Sequence, residues 1–479
     1  VATVACALSL STSALAKSPS TPPSAPSTTA NMITIVDLAG APIAGAQVMI
    51  GSGANLPFGD NTVTTDAKGV ANIPSGWTNA QPVTIEATGF VRTTYFGRSP
   101  AAAVFKIRAV PVVKATFELK GETTGYQDLQ QDGYIDVGLV IPSFSRAALT
   151  GFQISNLISH EVDNISVIGK QYKLPSNLSI PTQTETYLLP LTFTKPGYRM
   201  YFDALGNYGV SVVHARFLVK EIADALTNGV PILELLNTFT YVEGSSRVAN
   251  IKKGSTTLAL PVNDTKFLPL IQVVAPNFDN RLSMLSVAIP EANGTFSISD
   301  VKKLAAKGKV TLVAPKKGVT KGFVFNMLRA PAPQTGVTVG AQAVTYSAVI
   351  TPANMSKAFD FLPIVKAPEL RGETLSLDSP AKLPGVVQTM TYAVMSEVEV
   401  LDNGSFKIEK TTPEWELYAN DWAQALELPT LATTLPQTAG KMRWEATFVG
   451  VSEKTASPVT SGPDALEKAT HVTRAAVDF

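Results

Sequence analysis

The chain has 479 residues, of which 45% are hydrophobic and only 16% charged. Its 39 basic and 38 acidic residues nearly cancel, so no global field draws it to nucleic acid or to an anionic membrane surface. Its one cysteine, Cys6, excludes disulfides as a source of stability, and beyond the first residues no apolar run is long enough for a membrane helix.

Residues 1–16, VATVACALSLSTSALA, are apolar and small, and Ala14-Leu15-Ala16 fits a signal-peptidase site ahead of Lys17. The segment predicts a signal peptide without its basic n-region. Cys6, within TVAC, offers a second reading as a lipid anchor. Residues 17–31, KSPSTPPSAPSTTAN, predict an extended Pro/Ser/Thr-rich tether. Both segments point to export, with the periplasm, the outer membrane surface or the extracellular space as the destination.

From Met32 onward, short β-branched and apolar runs alternate with turn residues every eight to twelve positions. That spacing predicts an all-β chain of tandem β-sandwich domains with a few short helices. In TTDAKG, Asp66 is placed to accept from the backbone ahead of it and Gly69 to take positive φ. Three stretches, VDLAGAPIAGAQVMI, TTDAKGVANIP and VTIEATGFVRTTY, follow one another in residues 32–110. In order and spacing this segment resembles the carboxypeptidase regulatory-like, or transthyretin-like, β-sandwich domains. The resemblance covers about a sixth of the chain. It implies a structural or binding module without catalysis of its own.

Residues 111–270 read as a second β-rich domain. Strand candidates include VKATFELKG, GYIDVGLVIP, NISVIG, ETYLLPLTFTK and YRMYFDALG. A helix pair is expected near 215–238: Phe217, Leu218, Ile222, Ala225 and Leu226 share a helical face, and Pro231 suits the first position of a second helix. Residues 271–479 read as one or two further sandwich units, with a short helix over SDVKKLAAKG capped by Ser299 and stopped by Gly308. The closing THVTRAAVDF superficially resembles the last strand of an outer-membrane barrel, but the preceding strands read as too short and too proline-rich for one.

Few stretches carry chemistry. In DLQQDGYIDVGL, Asp128, Asp132 and Asp136 fall near the spacing of an EF-hand-like calcium loop, yet Leu139 stands where its bidentate Glu belongs. A hairpin turn at Asp132-Gly133 is the competing and preferred reading. Lys302, Lys303, Lys307, Lys309, Lys316 and Lys317 (with Lys321) form a basic run that would suit phosphate-bearing envelope polymers or lipid headgroups; a solvated sheet edge is the preferred alternative. Trp415 and Trp422 are candidates for stacking on sugar rings, against the commoner fate of core packing. His160, His214 and His471 make no ligand motif, and no GxSxG is present.

The reading that follows is an exported, non-enzymatic envelope or surface protein. It would bind an envelope polymer, carbohydrate or protein, or scaffold the envelope. It would use no cofactor, or at most calcium, and have no membrane span in the mature chain. The alternative is a carbohydrate- or peptide-directed hydrolase with an N-terminal accessory sandwich.

Overall fold

The computed structural model describes residues 32–479 apart from 52–61, 75, 112–115, 127–132, 145, 147–158, 160, 168–169, 182–193, 219, 221–235, 293–294, 316–321, 330–337, 341–344, 354–358, 403–406, 431–439 and 455–461. The described chain is all-β, built from several packed sheets. The leader, the tether and Cys6 lie outside the described residues, as do Asp128, Asp132, Lys316, Lys317 and all but the last two residues of the strand candidate ETYLLPLTFTK.

The first unit follows the alternation of its sequence. Met32–Asp37 lies between Val70–Asn72, antiparallel, and Ala103–Ile107, parallel. Facing this sheet are Gln47–Ile50, Gln81–Glu86 and Arg92–Arg98. Ile33, Ile35, Val48, Ile50, Val83, Ile85 and Phe105 fill the space between. The turn at Asp66 forms as its residues dictate: its Oδ1 accepts from the amides of Lys68 and Val70, and Gly69 sits at φ +72°.

Arg92–Arg98 does not end this unit. It pairs in parallel with Lys407–Asn420, with Tyr95 opposite Tyr418. The N-terminal strands thereby extend a 14-stranded sheet that crosses the C-terminal half of the chain. Its central members are Tyr346–Pro352, His471–Asp478, Lys441–Ser452, Val386–Asp402 and Lys407–Asn420. These include strands of 17, 14 and 12 residues, longer than the proline spacing suggests. A β-bulge near Ser396 accommodates Pro413 without breaking the ladder. Both faces of the sheet carry protein: Tyr392 and Tyr418 enter one core, and Trp415, Leu417, Trp444 and Phe448 the other.

Residues 117–262 form a further sandwich. Tyr134–Pro142, Gly206–Leu218 and Thr240–Ile251 are neighbours in a six-stranded sheet that faces Phe117–Thr124 and Gly197–Phe202. The expected boundary between Leu270 and Ile271 falls inside one strand, Thr265–Val274, which pairs with Lys309–Pro315. A bulge at Leu270 absorbs the neighbouring Pro269, so the proline marks an irregular strand and not a linker.

Two helix expectations need correction. Ala215–Leu218 continues the Gly206–Leu218 strand; most of the remainder of the expected pair lies outside the described residues. Asp300–Leu304 is also a strand, paired with Ser283–Ala292. Val301 and Leu304, spaced as one helical face, point into two different cores. Ser299 caps no helix. It hydrogen-bonds the carbonyls of Ala288 and Val313. Pro463–Lys468 is a short α-helix, and among the described residues no helix is long and apolar enough to cross a membrane.

Candidate functional site

The inner face of the six-stranded sheet changes character along its length. At one end Val140, Val210, Val212 and Ala249 pack as ordinary core. At the other end the same alternation delivers Asp136, His214 and Glu243 from three adjacent strands. All three are at most 1% exposed. His214 Nε2 lies 2.7 Å from Asp136 Oδ1, and Nδ1 lies 3.1 Å from Glu243 Oε1. Arg216 Nε donates to the same Asp136 oxygen at 2.9 Å. The Tyr126 ring meets the imidazole edge-on at 5.0 Å. Gly138 makes room for it, since a Cβ there would lie 2.2 Å from the Tyr126 hydroxyl. Burial lifts the pKa of that hydroxyl to about 12, so it keeps its proton while bonding Thr123.

The cluster borders an opening. Glu243 and Gly244 pair with Lys266 and Thr265, while Val242 is an extra residue opposite the His214–Ala215 step. Beyond this bulge lies a concavity of about 250 Å³, lined by Tyr241, Glu243, Lys266, Phe267 and Leu268 among others. Both imidazole nitrogens lie within hydrogen-bond distance of carboxylates, so the cluster links three strands through one ring.

Of the three residues in the calcium expectation only Asp136 lies among the described residues. That carboxylate sits on the strand Tyr134–Pro142 and serves His214 and Arg216. Asp136 and Glu243 engage opposite sides of one ring, so their oxygens do not converge on a point. Among the described residues no group of His, Cys, Asp or Glu is arranged to hold a metal ion. Sequence reasoning passed over His214 and Glu243. The available signal was charged or titratable side chains set inside β-branched runs: Asp136 in YIDVGL, His214 and Arg216 in SVVHARF, and Glu243 in TYVEGSS.

The other candidates part company. Trp415 and Trp422 are buried, which removes them as a sugar-stacking surface. Their indole nitrogens donate to Thr94 Oγ1 at 2.9 Å and to the Val449 carbonyl at 2.8 Å. Lys302 pairs with Asp300 at 3.4 Å, while Lys303, Lys307 and Lys309 are exposed around the turn between Asp300–Leu304 and Lys309–Pro315. Lys307 takes the left-handed conformation at its turn.

A second buried charge group lies at the junction of the first unit with the large sheet. Glu416 accepts from the hydroxyls of Tyr392 at 2.9 Å and Tyr418 at 3.0 Å, and it pairs with Arg108 at 3.1 Å. Tyr95, Tyr418 and Tyr392 stack across three strands at 5.1 Å per step. Burial, then the Glu416 charge, holds the Tyr392 and Tyr418 hydroxyls far above the usual tyrosine range.

His471 gives a pH prediction. Its Nδ1 is bonded to Thr470, and burial lowers its pKa to about 4. Between that value and the unfolded value of about 6.5, the unfolded chain binds more protons than the native one. Stability is therefore expected to fall as pH drops through this window, by up to about 3 kcal/mol. Melting temperature followed against pH for wild type and His471→Asn checks this; the variant's profile is expected to be flatter there.

No family model matches the chain, and no curated protein matches it. Among solved structures it was aligned with the major pilin subunit of Bacillus cereus over 82% of this chain and 99% of that one, at 8% identity and a TM-score of 0.14. At that score the likeness carries no argument.

Proposed function

We propose that this chain is an exported envelope or surface protein that works without catalysis, as a scaffold that holds or binds an envelope polymer or protein. One observation carries the reading: the first unit is welded into the large sheet. The parallel pairing of Arg92–Arg98 with Lys407–Asn420 is reinforced by the tyrosine stack, the Arg108–Glu416 pair and the Trp415–Thr94 bond. Arg92 lies over the Trp415 ring at 5.6 Å, and Lys106 pairs with Asp464 at 2.8 Å. An accessory domain on a free hinge has no use for such a junction. A stiff spacer that transmits force has every use for it.

The transthyretin-like resemblance of residues 32–110 supports the same role, as does the leader-and-tether composition of residues 1–31. Surface labelling of intact cells that express the full chain, with a pull-down from envelope extract, tests the proposal. Labelling together with recovery of one envelope polymer or protein is the expected result. Turnover of glycan or peptide substrates by the same preparation would replace it with the hydrolase reading.

A further inference from the structure

The buried cluster around His214 has a property that the scaffold role does not require. Both ring nitrogens face carboxylate oxygens, and an imidazole offers two donors only when it is doubly protonated. The groups around it come from every neighbouring element. Asp136 faces it from Tyr134–Pro142, Glu243 from Thr240–Ile251, and Arg216 shares its own strand. Tyr126 closes one side with a neutral ring, and Lys266 stands opposite Glu243 in the next strand, exposed to solvent. Two buried carboxylates thus face Arg216 and, when the ring carries both protons, a second cation. Removing the ring proton puts a nitrogen lone pair against a carboxylate, in a place where water gives no relief.

We propose that His214 is a proton-controlled clamp: its doubly protonated ring ties the strands of Asp136 and Glu243 together, and loss of that proton loosens them where the concavity opens. The weak point is set by the fold. The bulge at Val242 and the parting of Thr240–Val242 from Phe267–Leu268 lie beside Glu243. Release of Glu243 therefore frees a strand edge that ends in the exposed side chains of Leu268 and Leu270. The sign is opposite to that of His471, because this contact is lost as pH rises.

Backbone amide exchange on the full chain, corrected for intrinsic rates, tests the clamp between about pH 5 and pH 9. Thr240–Gly244 and Thr265–Leu268 are expected to exchange about tenfold faster, or more, at the upper end, with Lys441–Ser452 unchanged. Glu243→Gln is expected to remove this dependence, since an amide can donate to a neutral ring. His214→Gln is expected to remove it as well. Should both variants fail to fold, the wild-type ring is read directly by nitrogen NMR. A doubly protonated His214 at the lower pH, lost in step with the rise in exchange, supports the clamp. A ring already neutral at about pH 5, or an unchanged exchange profile in a folded Glu243→Gln protein, overturns it.

Discussion

Replacement of Glu416 by alanine is expected to destabilise the protein by about 3 kcal/mol and to uncouple residues 32–110 from the large sheet. The carboxylate is fully buried and accepts from two tyrosine hydroxyls while pairing with Arg108. Its removal leaves two buried donors without their acceptor and a cation without its countercharge. The Arg108 side chain is 21% exposed, so water recovers part of the loss, and the expected effect sits at the lower end for a broken buried pair. Denaturant midpoints measure the stability, and limited proteolysis measures the uncoupling, with the first unit released earlier in the variant. The double variant Arg108→Met/Glu416→Leu is expected to lose less than Glu416→Ala, because an apolar pair leaves no orphan charge. A neutral single variant would remove the weld on which the scaffold reading stands.

Gly121→Ala is expected to be still more damaging, at about 3–5 kcal/mol. A Cβ at this position would lie 1.8 Å from the Leu258 carbonyl oxygen and 2.7 Å from its carbon. Neither is the end of a side chain that can turn away. The Leu258 amide bonds Lys120, and its carbonyl accepts from the Tyr198 hydroxyl at 2.7 Å. Ser255–Thr257 and Leu260–Pro261 both pair with the strand that carries Gly121, so the crossing segment is fixed on either side. The new methyl must break that pairing or bend the strand. Gly197 supplies the control from the neighbouring strand, where the nearest atom to an added Cβ is 3.7 Å away. Gly197→Ala is expected to change stability by less than about 1 kcal/mol. Equal denaturant midpoints for the two variants would refute the close approach.

The strands were legible because their physics is local. Alternation decides which residues enter a core, and Asp66 with Gly69 announces a reversal. The helix expected over Asp300–Leu304 failed because its local pattern had two meanings. The three-residue spacing of Val301 and Leu304 makes one face on a helix but opposite faces on a strand. Pairing with Ser283–Ala292 between two cores selects the strand. The charge clusters were illegible for another reason. Asp136 and Glu243 reach His214 across 78 and 29 residues of chain, and only strand order brings them together. Trp415 and Glu416, neighbours in one strand, point to opposite faces as strand alternation dictates. That both faces are interior follows from the parallel junction, which no spacing in the sequence records.

The place of His471–Asp478 in the large sheet bears on how the chain comes to be folded. It is the last described strand in chain order, yet it lies between Tyr346–Pro352 and Lys441–Ser452, antiparallel to both. Until it arrives, each of those strands presents an open edge, and the two halves of the sheet have no backbone link at that point. A chain emerging from a ribosome or a translocation pore therefore completes this sheet only once residues 471–478 are free. Long-range pairing of this kind is slow. A product stalled short of residue 471 would display two sticky strand edges, the kind of surface that quality-control proteases and chaperones recognise.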